Sequence, residues 1–227
     1  PSFEHLFGTD RLGRDMFARV LNGGQTSLII GFLAASISSI VGLFIGINAG
    51  YFKGNIDKTI TIMIDLFLTF PTFFLLLALV SYIQASALIL IIVISITSWM
   101  GMARMIRSES FAIGNKPFIK ILKVANVSTF KIIFKYFAPL LAPIFLISFT
   151  FGVGGSILAE SGLSFLGLGI NPPSMSWGSL LSDGKAVIDI AWWVSFFPGF
   201  MIFLITFCLI QISDYLQTLA NSKEIIA

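Results

Sequence analysis

The residues that do most protein chemistry are nearly missing from this sequence. It has one cysteine, Cys208, and one histidine, His5. Cys208 lies in the apolar run from Leu204 to Ile210, and with no second cysteine an internal disulfide is excluded. No Cys/His cluster marks a zinc-type site. No nucleophile, base and metal come together as a membrane-embedded enzyme would need. A Gly-rich phosphate loop ending in Lys-Ser/Thr is also lacking, so ATP is not bound by that route. Charge is scarce as well. Only 11% of residues are charged and 56% are hydrophobic, whereas soluble domains carry about 25% charge. An ordinary soluble domain is therefore excluded. The net charge of +3 is small and gathered in one segment, so it reports topology and not nucleic-acid binding.

What the chain does have is long stretches without charge: Val20 to Phe52, Leu66 to Ala103 and Tyr136 to Ala159. A spanning helix needs about 20 apolar residues. The pattern predicts an all-α integral membrane protein with five visible spans, at 26–50, 59–82, 87–106, 133–156 and 192–216. Each must be a helix, because a lone strand leaves its backbone unpaired in lipid. Between the third and fourth spans lies a basic island of Arg104, Arg107, Lys116, Lys120, Lys123, Lys131 and Lys135 against one acid, Glu109. Short basic loops stay on the cytoplasmic side. This makes 107–135 a cytoplasmic loop and puts Lys53 to Lys58 inside as well. It leaves 1–25 as an extracellular pre-span segment, 157–190 as an external loop and 217–227 as a cytoplasmic tail. The external loop agrees, with Glu160, Asp183 and Asp189 against Lys185. No signal peptide is visible after Pro1, so an external N-terminus predicts a sixth span upstream.

Gly42, Gly46 and Gly50, with Ala34 and Ser38 before them, repeat every four residues and predict close helix packing within the bundle. Pro71, Pro139, Pro143 and the pair Pro198-Gly199 predict kinks. In the basic loop, Pro117 suits the first turn of a short helix running to Ala125. Phe118, Ile121, Leu122 and Ala125 fall on one side of it and Lys116, Lys120 and Lys123 on the other. Asn126 offers a left-handed turn, and Ser128 caps a second helix leading into the fourth span. Such an amphipathic helix either rests on anionic lipid or docks in a groove on a soluble partner. Asp65, inside the second span, pairs with Arg104 or Arg107 or serves in gating. Asp10, Arg14 and Asp15 form an ion-pair knot at the entry to the first span, in preference to a substrate contact. The apolar, glycine-punctuated run Leu163 to Gly169 re-enters as part of an external gate. Trp177, Trp192 and Trp193 mark the outer interface.

Several of these blocks resemble one family. Lys120 to Pro139 is similar to the coupling loop of ABC importer permeases. Lys120, Ile121 and Leu122 stand where that family has Glu-Ala-Ala, Asn126 stands for its Gly, and Lys131-Ile132-Ile133-Phe134-Lys135 with Pro139 matches the tail of the motif. Asn replaces Gly well at positive φ, whereas Lys120 removes an acidic contact to the ATPase. The start, Gly8-Thr9-Asp10 with Gly13-Arg14-Asp15, resembles the signature of the second permease of dipeptide, oligopeptide and nickel importers. So do Leu163 to Gly169, Pro172-Pro173, Ser176-Trp177-Gly178 and Phe197-Pro198-Gly199. Ala49 to Phe52 with Gly54 and Asp57, Asp65 with Phe70-Pro71, and Trp99 with Ala103-Arg104 extend the match in register over nearly the whole chain.

The resemblance implies a type I ABC importer bundle in a prokaryotic cell membrane. Such a subunit forms half of an alternating-access pathway for peptides, nickel or a metal–chelator complex. The implied partners are a homologous second permease, two cytoplasmic ATPases carrying ATP and Mg, an extracellular substrate-binding protein and membrane lipid. No cofactor, metal or nucleic acid is implied for this chain. ATPase coupling falls to Lys116, Pro117, Phe118, Lys120, Ile121, Leu122, Lys123, Ala125 and Asn126. The external gate falls to Glu160, Leu163, Ser164, Phe165, Leu166, Gly167 and Gly169. A secondary transporter or channel subunit is the alternative. It predicts midplane charges and inverted repeats, and only helix breaks are present.

Overall fold

The computed structural model describes residues 1–83 and 86–226, with side chains through residue 220. Residues 84 and 85, in the expected interruption between the second and third spans, and 227, at the end of the expected tail, lie outside the described residues.

Asp15 sets where the first helix begins. Its backbone is extended and its carboxylate accepts from Ala18 N–H at 2.9 Å, the N-cap arrangement. Helix α1 (Met16–Phe52) then runs for 37 residues, about 55 Å at 1.5 Å per residue. It starts ten residues before the expected span. Arg19, just outside the charge-free run, lies inside α1, where it pairs with Asp10 and Asp183. Lys53, at φ 56°, ends the helix.

The expected second span is not one kinked helix. Helix α2 (Gly54–Leu68) and helix α3 (Thr72–Ser81) meet at 76°. Pro71 has no N–H to donate and its ring excludes the carbonyl four residues back. The Asp65 carbonyl accepts both the Thr69 N–H, at 3.1 Å, and the Thr69 hydroxyl, at 2.9 Å, closing α2. Only Ile64 of α2 is buried, so this bent pair stands at the edge of the bundle.

Ser86 caps helix α4 (Ala87–Asn115), and Pro117 opens the short helix α5 (Pro117–Val124). Helix α6 (Thr129–Ile132) passes through a π-turn (Ile133–Phe137) into helix α7 (Ala138–Phe165). The π-turn falls just before Pro139, whose missing N–H leaves the preceding turn free to widen. Helix α8 (Trp177–Lys185) carries a capping box between Ser176 and Ser179. Helix α9 (Trp193–Ile226) completes the chain. Among the described residues four helices are long and apolar enough to cross a membrane, five with the bent pair counted as one span.

Helix α1 is the axis of the bundle. It packs along α4 and, nearer its start, against α7 and α8. The glycine stripe forms the seam with α4. A Cβ on Gly42 would lie 2.7 Å from Met102 Cβ, and one on Gly46 would lie 2.7 Å from the Ala103 carbonyl oxygen. The Ser95 hydroxyl adds a bond to the Ala34 carbonyl at 3.2 Å. These small residues therefore let two helices of one chain approach closely.

The buried side chains fall in three main layers. One joins Met16, Val20, Trp177, Leu180 and Val194 at the start of α1. A middle layer joins Ile30, Leu76, Leu90, Ile94, Leu163 and Ile170. The third joins Tyr51, Ile106, Ile113, Ile119, Ile132 and Phe137 at the basic end. Outward faces carry Phe32, Phe44, Phe74, Leu88, Phe203 and other exposed apolar residues, as a surface against lipid tails or partner subunits requires.

Candidate functional site

Chemistry-bearing residues gather at the two ends of the bundle. At the basic end, Arg107 of α4 holds Asp57 of α2 through two nitrogens, its Nη2 donating to Oδ2 at 2.8 Å. Arg104 holds Asp65. These pairs answer the question of Asp65: it is an ion-pair partner of Arg104, and both are about half exposed. Lys53 Nζ donates to Asn115 Oδ1 at 2.6 Å and lies 4.3 Å over the Phe111 ring.

Helix α5 caps this end. Ile119 is fully buried among Ile113, Ile132, Phe137 and Leu141. Lys123 is drawn inward, its ammonium 4.2 Å over the Tyr51 ring. On the far side of the helix, Ile121 is 67% exposed and Val124 is 84% exposed. The expected apolar face of Phe118, Ile121, Leu122 and Ala125 is therefore rotated. Leu122 is half-buried and packs on the core, and the outward ridge is Pro117, Ile121 and Val124. Sequence reasoning missed Ile119 and Val124 because both faces of this helix are partly apolar, so periodicity alone does not say which face meets the bundle. Asn126 takes φ 52°, the left-handed value a Gly would supply. Ser128 stands at the N-cap position of α6, but its hydroxyl makes no cap bond; its carbonyl accepts from Ile132 N–H at 3.0 Å.

At the opposite end, the Gly8 to Asp15 segment folds as a knot. Asp10 accepts from Leu12 N–H (2.8 Å), Arg14 N–H (2.9 Å), Arg14 Nε (2.6 Å) and Arg19 Nη1 (2.5 Å). Arg19 Nη2 reaches Asp183 of α8 at 3.2 Å. Burial pushes the Asp10 carboxyl up, but the Arg14 N–H and guanidinium, the Leu12 N–H and the Arg19 charge outweigh it and hold it below the usual carboxylate range. Asp15 is also lowered, by the Ala18 N–H and then by the His5 ring 3.0 Å away. Gly8 takes φ 74° and leaves no room for a Cβ beside the Trp193 indole, which donates to the Thr9 carbonyl at 3.0 Å. Gly13 takes φ 72°. Each signature residue therefore has a structural task.

Glu160 of α7 is fully buried at this end. Its carboxylate accepts from Ser27 of α1 at 2.9 Å, Ser164 at 2.7 Å and Ser161 at 3.4 Å. Ser27 in turn accepts the Trp177 N–H at 3.1 Å, and the Trp177 indole donates to the Val20 carbonyl at 2.9 Å. Trp177 is thus a buried link between α1 and α8, not an interface anchor; Trp192 is the exposed ring.

The run Leu163 to Gly169 does not re-enter as a loop. Leu163, Ser164 and Phe165 are the last turn of α7, and Leu163 is fully buried. Leu166 and Gly167 close the helix: Gly167, at φ 81°, donates to the Ser164 carbonyl, and Leu168 donates to the Leu163 carbonyl at 2.9 Å. This is the glycine-ended cap of a helix C-terminus. Gly169 lies tight against Ser164, and Ile170 turns back into the middle layer. Beside this turn and the knot opens a cavity of about 730 Å³, lined by Asp10, Arg14, Arg19, Asn171, Ser179 and Asp183 among others.

Among the described residues the helices form a bundle of four or five spans, ion-paired at both ends and tipped by the short helix α5, the architecture of a polytopic membrane protein. The methionine ABC transporter MetNI, in an inward facing conformation, shares this fold with a TM-score of 0.70 at 15% identity, over 88% of this chain and 97% of that one. Residues 42–223 match the family described as binding-protein-dependent transport system inner membrane component, and the chain belongs to that family. It is 36% identical over 226 residues to the oligopeptide transport system permease protein OppC of Haemophilus influenzae, covering 99% of this chain and 73% of that protein. It is 36% identical over 224 residues to the dipeptide transport system permease protein DppC of Bacillus subtilis, covering 98% and 70%. The chain is accordingly a multi-pass inner-membrane permease subunit of an ABC importer, a class that works with ATPase and substrate-binding subunits.

Proposed function

We propose that this permease carries peptides, pairs with a homologous second permease to enclose the pathway, and receives its power stroke through α5 from one of two cytoplasmic ATPases. The observation that carries the coupling assignment is the two-sided build of α5: Ile119 fixed in the core, Ile121 and Val124 turned outward. A helix anchored on one face and apolar on the other suits a groove on a soluble subunit. Peptide cargo is supported by relatives named for oligopeptide and dipeptide transport. ATP and Mg belong to the ATPases, since this sequence carries no phosphate loop. An external binding protein delivers cargo at the Asp10–Arg19–Asp183 end. There the Glu160 network and the Leu163 to Gly169 turn act as the outer gate. ATP binding shifts the bundle between inward- and outward-open populations.

The test is ATP-dependent uptake by proteoliposomes holding both permeases, both ATPases and the binding protein. Labelled di- to pentapeptides are expected to accumulate, and Ile121→Ser in this chain to abolish accumulation. Uptake of nickel or a nickel–chelate with no uptake of peptide would overturn the cargo assignment.

A further inference from the structure

The basic end carries more positive charge than the chain itself balances. We propose that the outward face of α5 fits a one-sided groove on the ATPase, apolar at its floor and lined with carboxylates on the lip facing Lys116 and Lys120. This rests on the reading of α5 as the coupling element and specifies the chemistry of its partner.

Helix α4 has 29 residues, about 43 Å of rise, against a hydrocarbon core of about 30 Å. Its length therefore exceeds the hydrocarbon core, and its last turns carry α5 past it. Ile119 faces the bundle, so the ridge of Pro117, Ile121 and Val124 faces away from it. An interfacial helix rests its apolar ridge on the bilayer; here the apolar ridge is turned away from the bundle end that α5 covers, as a docking face requires. At about 100° per residue, Lys116 and Lys120 fall together on one flank of the ridge, with Phe118 and Ala125 on the other. Lys123 is already engaged with the Tyr51 ring. Lys116 and Lys120 make no ion pair among the described residues. No Asp or Glu occurs between Glu109 and Glu160, and Lys131 and Lys135 add the same sign. A neutral or basic lip would leave these charges unanswered or repelled; an acidic lip steers the encounter and fixes the register of the helix in its groove.

The test uses the complete permease pair in discs of phosphatidylcholine, which supplies no net negative charge, with binding of the purified ATPase followed in low salt and in about 0.5 M salt. K116E/K120E is expected to slow association at least tenfold in low salt, with the difference closing at high salt, because screening removes it. Ile121→Ser is expected to weaken binding at both salts. Unchanged low-salt association of K116E/K120E would overturn the acidic lip while leaving the coupling role of α5 standing on Ile121→Ser. If Ile121→Ser also binds as the parent does, the coupling reading falls too. If the charge reversal matters only after phosphatidylglycerol is added to the discs, the lysines answer to lipid and the acidic lip is wrong.

Discussion

Ile119 and Ile121 lie two residues apart on α5 and face opposite ways: the first is sealed in the core and the second is two-thirds exposed. Truncating them must therefore do different things. Ile119→Ala removes packing from a fully buried layer and is expected to cost about 2–4 kcal/mol of stability, seen as an earlier thermal unfolding transition in detergent. Ile121→Ser leaves stability within about 0.5 kcal/mol, as surface changes do, yet uncouples ATP hydrolysis from uptake. If both variants lose stability alike, the two-faced reading of α5 is wrong.

Glu160 offers a second contrast. Its carboxylate collects the hydroxyls of Ser27 and Ser164, and Ser27 hands on a bond to Trp177, so three helices meet there. Glu160→Ala strands buried hydroxyls and is expected to cost about 1–3 kcal/mol. Glu160→Gln keeps an acceptor oxygen and the side-chain volume, and should cost less than half as much. Equal losses for the two variants would mean that packing, not hydrogen bonding, holds the junction.

The helical bundle and its basic end were legible because charge-free runs and lysine clusters are direct records of the bilayer. What was not legible depends on partners distant in sequence. Arg19 borders the charge-free run, and nothing local in the sequence shows that it pairs with Asp183, 164 residues away. Trp177 reads as an interface ring until the Val20 carbonyl takes its indole N–H. Gly167 and Gly169 suit a loop and a helix cap equally well; the bond from Leu168 to Leu163 decides for the cap. Asn126 was readable because its turn preference is local, whereas the idle hydroxyl of Ser128 was not, since cap bonding depends on side-chain orientation.

The Asp10 knot makes its end of the bundle acid-sensitive. The folded-state pKa of Asp10 is lowered, so its stabilisation is complete above the unfolded value of about 3.9 and drains away as pH falls through the lower folded value. Asp15 adds in the same direction. The parent protein should lose thermal stability on acidification below about pH 4. Asp10→Asn should begin less stable at neutral pH and show a shallower acid slope. An acid slope as steep in Asp10→Asn as in the parent would assign that sensitivity to other carboxylates.

The α1–α4 seam makes the most stringent packing prediction, because two helix-interior glycines, one buried in the seam and one exposed, differ in what surrounds them. A methyl on Gly46 would press on the Ala103 carbonyl and on Ile106 Cβ, each at 2.7 Å, and both atoms sit on the facing helix where no rotamer change relieves them. A methyl on Gly101 meets nothing within 4 Å. Gly46→Ala must push the helices apart and is expected to cost about 1–3 kcal/mol by overpacking. Gly101→Ala, in the middle of α4, gains helix propensity and should be neutral or stabilising by up to about 1 kcal/mol. Thermal unfolding of the two variants side by side separates the effects. A Gly46→Ala protein as stable as the parent would mean that α1 and α4 do not approach this closely in the membrane.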